Sequence, residues 1–156
     1  MAISLEVPGW RSLELEHLVL DLNGTLALDG VLLPGVAQTV EVLSARLACH
    51  LVTADTFGTA HQLFGPLVKV ARIDSGREGE QKQAIVEGLG AGRVAALGNG
   101  ANDALMLAAA ALGIAVLGPE GAAPQALMAA DVVTTGPLEA LALLTNPDRL
   151  RATLRR

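Results

Sequence analysis

Along this chain, short and almost unbroken apolar runs alternate with stretches in which apolar residues recur every three or four positions. The runs HLVLDL (17–22), CHLVTAD (49–55), VKVARID (68–74), RVAALGN (93–99), IAVLG (114–118) and DVVTT (131–135) predict strands buried on both faces. Between them, PGVAQTVEVLSARL (34–47), TAHQLFGPL (59–67), EQKQAIVEGLG (80–90), NDALMLAAAALG (102–113), AAPQALMAA (122–130) and PLEALALLT (137–145) predict helices. Pro34 and Pro137 fall near helix starts, and Gly90 and Gly113 fall where a left-handed helix end favours glycine. Such alternation predicts a parallel sheet with helices on both faces, an α/β architecture in three layers. No linker, repeat or low-complexity tract interrupts it, so residues 1–156 are expected to form a single domain.

In sheets of this kind ligands bind beyond the carboxyl ends of the strands, so the residues at each strand exit matter most. Asp21 ends the first run, Thr53 and Asp55 the second and Asp74 the third, while GNGAND follows the fourth. A carboxylate at a strand tip, followed at once by Asn23-Gly24-Thr25, suits a nucleophile for a phosphoryl group, with the turn's N–H groups receiving phosphate oxygens. The alternative is a tight hairpin turn, for which Asn-Gly is also a strong signal. Phosphoryl transfer further needs a hydroxyl donor, a cation and hard oxygens for Mg²⁺. Thr53, Lys82 and the cluster of Asn99, Asn102 and Asp103 supply them in order.

Composition narrows the rest. Just over half of the 156 residues are apolar and 17% are charged, as in an ordinary globular protein. A formal charge of −5 argues against nucleic-acid binding, which needs clustered cations. The one basic stretch, RLRATLRR, reads as a last helical turn. Cys49, the single cysteine, sits among apolar residues and reads as core in a reducing cytoplasm. The amino terminus lacks a targeting pattern, and the most apolar window, Ala104 to Gly118, is too short for a membrane span of about 20 residues. A cytoplasmic protein with no membrane association is expected. His17, His50 and His61 show no metal-ligand spacing, and GPEGAAP (118–124) reads as a connector or a phosphate-edge loop.

Taken in order, DLNGT, TAD, a lysine opening a helix and GNGANDALM resemble the motifs of the haloacid dehalogenase superfamily of aspartate-nucleophile phosphotransferases. The pattern is most similar to the phosphorylation domain of P-type ATPases, DKTGT, TGD, Lys and GDGxND, with AADVV (129–133) in place of a late Ala-Asp. The resemblance implies a Rossmann-like fold, a Mg²⁺ cofactor and a phosphorylated substrate. It implies that Asp21 forms an aspartyl-phosphate, that Thr25 and Thr53 position nucleophile and phosphate, and that Lys82 neutralises charge between them. Asn23, Gly24, Thr53, Ala54, Lys82 and Asn102 would bind phosphate. Asp21, the carbonyl of Asn23, Asn99 and Asp103 would hold the metal, with Asn102 orienting Asp103.

Three departures modify that expectation. Asn23 stands where phosphatases of the superfamily carry an acid that protonates the leaving group. An amide cannot do this, and the lost help is worth about a hundred- to ten-thousandfold, so turnover should be slow. Asn99 replaces a metal-binding aspartate, which should weaken the site and make Asp103 its main acidic ligand. The segment from Leu26 to Val36 accommodates only a flap turning at Asp29-Gly30, so the site should be capless. The expected protein is therefore a slow, Mg²⁺-dependent phosphohydrolase. The alternative is a phosphate-binding or phospho-accepting regulatory module. Capless relatives often self-associate, which makes a homo-oligomer an expectation too.

Overall fold

The computed structural model describes residues 1–54 and 60–156. Asp55, expected at the rim, and Thr59, expected to open a helix, lie outside the described residues. Six parallel strands form the main sheet: β3 (His17–Asp21), β6 (Ala48–Thr53), β7 (Val68–Arg72), β8 (Val94–Gly98), β9 (Leu112–Val116) and β10 (Val132–Thr134). Their order is β10-β9-β8-β3-β6-β7, so β3 lies inside the sheet between β8 and β6. Register pairs His17 with both Ala48 and Val94, and Asp21 with Val52.

Alternation along β3 explains the three layers, because successive side chains of a strand face opposite ways. Leu18 and Leu20 join Cys49, Leu51 and Leu97 on one face. There they pack against α1 (Val36–Ser44), α6 (Pro137–Thr145) and α7 (Pro147–Leu154), through Val40, Leu141 and Leu150. Val19 joins Val52 and Ala96 on the other face. That face is covered by α3 (Glu78–Leu89), α4 (Ala104–Ala109) and α5 (Pro124–Ala129), through Val86, Met106 and Ala126. The short α2 (Ala60–Phe64) runs into a 3₁₀ turn, Gly65–Leu67, before β7. Among the described residues no helix is long and apolar enough to cross a membrane.

Two smaller pieces flank the sheet. An antiparallel hairpin of β1 (Ile3–Val7) and β2 (Arg11–Leu15) pairs Ile3 with Leu15 and sends Ile3, Leu5, Val7, Leu13 and Leu15 into the first core. The strand readings above, which begin at His17, did not include it. Arg151 of α7 donates to the Glu6 carbonyl at 3.0 Å, and the Arg156 N–H to that of Pro8 at 2.9 Å, so the basic C-terminus clamps this hairpin. The flap is the expected one: β4 (Ala27–Leu28) pairs with β5 (Val31–Leu32) around Asp29 and Gly30, both at positive φ. Besides turns and an isolated bridge between Asn23 and Ala27, this hairpin is all that the chain makes between β3 and α1.

The apolar window from Ala104 is split differently from the expected helix. A 3₁₀ turn, Ala101–Asp103, leads into α4, which ends at Ala109, and β9 begins at Leu112, two residues before the predicted strand. Gly113 is thus a strand residue and not a helix cap. Its need for glycine is steric: a β-carbon there would lie 2.4 Å from the Leu107 carbonyl oxygen. Gly90, in contrast, caps α3 at φ 91° as expected. Asp131 lies far from the strand exits, accepting the Gly113 N–H at 2.8 Å and so tying the starts of β9 and β10 together.

Replacing Gly113 with alanine forces α4 away from β9, and overpacking of this kind costs about 1–3 kcal/mol. Urea denaturation should therefore show a lowered midpoint for Gly113→Ala, and an unchanged midpoint would mean that the helix yields without cost.

Candidate active site

Three separate elements bring charge to one point. Asp21 ends the central strand, Lys82 projects from the buried side of α3, and Asp103 closes the 3₁₀ turn after β8. The Lys82 ammonium lies 2.9 Å from Asp21 Oδ1 and 2.7 Å from Asp103 Oδ1, and all three side chains are buried. Thr25, also buried, places its hydroxyl 2.8 Å from Asp21 Oδ2 and 3.0 Å from Asn99 Oδ1. Its single proton serves one of them at a time. Asn99 is oriented by donating through Nδ2 to the Gly121 carbonyl at 3.2 Å. Gly24 makes the turn at φ 79°, and a β-carbon there would come within 2.7 Å of Asn99 Nδ2.

Two carboxylates around one ammonium leave an excess negative charge out of water. Burial, and then the neighbouring Asp103 carboxylate, push Asp21 up to about 6, against the opposing pull of Lys82 and Thr25. Burial disfavours the charge on Lys82, but Asp21 and Asp103 outweigh it and hold its pKa above the ordinary value. Lys82 is thus a fixed cation, unsuited to accepting a proton at neutral pH. An anionic, oxygen-lined site fits a hard divalent cation such as Mg²⁺. Among the residues lining the cavity over this point, the Asp21 carboxylate and the Asn99 amide oxygen could help to hold it. Among the described residues no cluster of three or more His, Cys, Asp or Glu side chains surrounds a common metal position, so the donor set is poor in charge.

An open cavity of about 320 Å³ lies over this constellation, lined by Asp21, Asn23, Thr53, Ala54, Ile73, Glu78, Lys82, Asn99, Gly100 and Asn102. Nearly every residue expected at the site therefore meets there. Gly24 and Thr25 support it from the turn below, with Thr25 fully buried. Asp103, expected as the main acidic metal ligand, is buried at the same point. It stands behind Lys82 with one oxygen on the ammonium, while Oδ2 accepts the N–H groups of Asn99 at 3.0 Å and Gly100 at 2.9 Å. The Asn102 amide donates to Glu78 at 2.7 Å. Asp74 remains exposed outside the cavity, its backbone N–H and carbonyl both bonded to Gln81. Glu78 and Ile73 line the cavity without having been singled out in the sequence. Glu78 alone carried a signal there, as an acid one helical turn before Lys82.

Solved structures with this fold are haloacid dehalogenase phosphatases and P-type ATPase catalytic domains. The 3-deoxy-D-manno-octulosonate 8-phosphate phosphatase of Moraxella catarrhalis, in complex with magnesium, phosphate and KDO, is 16% identical with a TM-score of 0.67, over 90% of this chain and 94% of that one. The cobalt-bound deoxy-D-mannose-octulosonate 8-phosphate phosphatase of Haemophilus influenzae is 14% identical with a TM-score of 0.68, over 91% of this chain and 94% of that one. A zinc-transporting PIB-type ATPase in its E2·Pi state is 26% identical with a TM-score of 0.61, over 79% of this chain but only 20% of that one. The fold is therefore the three-layer, Rossmann-like α/β fold of the haloacid dehalogenase hydrolases, as the motifs implied.

No protein-family profile matches the chain. A protein of Methanocaldococcus jannaschii, described only as uncharacterised, is 41% identical over 92 residues, covering 56% of this chain and 99% of that one. The chain belongs to one family with that archaeal protein.

Because the folded-state pKa of Asp21 lies above its ordinary 3.8, its carboxylate opposes folding above about pH 6, and that opposition vanishes below pH 3.8. Asp21→Asn keeps an acceptor for Lys82 and a donor for Thr25 while removing the excess charge. In chelator at neutral pH it should unfold later than the parent, by about 1–3 kcal/mol. The gap should close as the pH is lowered through 6 towards 4. A variant less stable than the parent at pH 7.5 would contradict this reading of the charge balance.

Proposed function

We propose that the protein is a Mg²⁺-dependent phosphohydrolase of the haloacid dehalogenase type, acting through an aspartyl-phosphate on Asp21 and turning over slowly. The observation that carries this reading is Lys82, buried within 2.9 Å of a strand-tip carboxylate that lines an open cavity. Phosphatases among the structural neighbours support it and point to a phosphate ester as the general class of substrate.

The chemistry follows from these groups. A phosphate ester in the cavity meets the Thr53 hydroxyl, the main chain at Asn23 and Ala54, and the Lys82 ammonium. An Asp21 oxygen attacks phosphorus, and the bond to the leaving oxygen breaks. That oxygen takes its proton from water, since the Asn23 amide has none to give. Water then attacks the acyl phosphate at phosphorus, releasing inorganic phosphate and restoring the carboxylate. Bound Mg²⁺ would screen charge on the phosphoryl oxygens and orient them. Lys82 supplies a second positive charge on the same oxygens, and Asp103 holds Lys82 in place.

Activated aryl phosphate tests the reading. Turnover should depend on Mg²⁺ and vanish in Asp21→Asn; metal-dependent turnover no higher than in that variant would overturn it. Asn23→Asp restores a proton donor and should raise kcat, by about a hundredfold or more for a poorly activated leaving group. An unchanged kcat would place the limiting step elsewhere.

A second reading is favoured by the same Asn23: a phospho-accepting switch, in which the acyl phosphate persists long enough to alter an interaction. The lifetime of the trapped phosphoprotein after acid quench separates the two.

A further inference from the structure

Resting on the reading that the Asp21 site takes Mg²⁺, one more residue of the chain is drawn into it. The loop after β9 folds over the Asn99 corner of the site: the Ala123 N–H donates to the Asn99 carbonyl at 2.8 Å, and the Gly121 carbonyl accepts from the Asn99 amide at 3.2 Å. The sheet order makes this possible, since β9 is the neighbour of β8 and their exit loops lie side by side. The loop carries Glu120 to the same face of Gly24 that Asn99 occupies. Glu120 Oε2 and Asn99 Nδ2 lie 2.8 and 2.7 Å from the position a Gly24 β-carbon would take. Glu120 is exposed, and among the described residues no salt bridge takes up its charge. An unpaired carboxylate is thus set beside a neutral amide, at the corner of a site whose donors are otherwise short of charge.

We propose that Glu120 is an outer-sphere ligand of the divalent cation, accepting a hydrogen bond from a water that the ion retains and supplying the negative charge that Asn99 lacks. Mg²⁺ gives up its waters reluctantly and is commonly held by few direct protein oxygens, so a carboxylate one water away is well placed to act on it. Partners of this kind typically change metal affinity by about 10–100-fold.

Mg²⁺ titration of the metal-stripped protein by calorimetry, at fixed ionic strength and without substrate, tests the assignment. Glu120→Gln should weaken binding by about 10–100-fold, and adding Asn99→Asp to that variant should recover most of the loss. Glu78→Gln removes an equal charge from another part of the cavity wall and should weaken binding far less. Unchanged affinity in Glu120→Gln would overturn the assignment, and so would an equal loss in Glu78→Gln, which would reduce the effect to net charge. If the parent protein binds no Mg²⁺, the functional reading falls as well; if it binds and Glu120→Gln binds equally, only the role of Glu120 falls.

Discussion

One ammonium group shared by two buried carboxylates is the interaction on which the rest depends. Lys82 draws α3, the end of β3 and the turn after β8 to a single point. Ions buried this way are expensive to desolvate, and their mutual attraction repays that only where the geometry is good and the remaining lone pairs are used. Here they are used: Thr25 takes the second oxygen of Asp21, and two backbone N–H groups take the second oxygen of Asp103. The charge count still does not balance, and the imbalance falls on Asp21, the carboxylate nearest the cavity. A fold selected only for stability has no reason to leave a carboxylate in that condition, and strongly perturbed groups at a cavity wall are characteristic of chemistry.

The sheet explains how distant segments reach that point. Because β3 is flanked by β8 and β6 in parallel, the exit loops of three adjacent strands crowd together, and each contributes. The β3 loop supplies Asp21 and Asn23, the β6 end supplies Thr53 and Ala54, and the β8 loop supplies Asn99 and Asn102. The β9 loop is one strand further out and reaches only the Asn99 side. The flap between β3 and α1 is a hairpin of two strands of two residues each.

Much of this was legible in the sequence, for identifiable reasons. Strands buried on both faces leave runs such as HLVLDL, which no amphipathic helix would carry, and the motif residues stand at the ends of those runs. The β1–β2 hairpin escaped notice because each strand alternates over only five residues, ISLEV and RSLEL, beside far longer apolar runs. The early end of α4 was hidden in a row of alanines, where nothing local marks the boundary and the close approach of Leu107 to Gly113 decides it. Asp103 shows the limit most clearly. Spacing placed it at the site, but whether its oxygens face the metal or brace Lys82 depends on which donors reach it first. Glu120 was out of reach for a similar reason, since its position follows from how one loop lies on another.

On the proposed chemistry, the same constellation decides which half of the reaction is slow. Forming the acyl phosphate asks only that Asp21 be ionised and the leaving group be good, and both conditions can be met without an acid in the site. Hydrolysing it asks water to lose a proton, and the groups packed around Asp21 have little to offer, while Glu78, the other carboxylate on the cavity wall, accepts from the Asn102 amide. Asn23 cannot accept one, Lys82 is held protonated by its two neighbours, and both oxygens of Asp103 are engaged. On that reading, we expect dephosphorylation to be the slow step for an activated ester. A slow phosphatase and a phosphorylatable switch differ, in this site, only in how long that intermediate lasts.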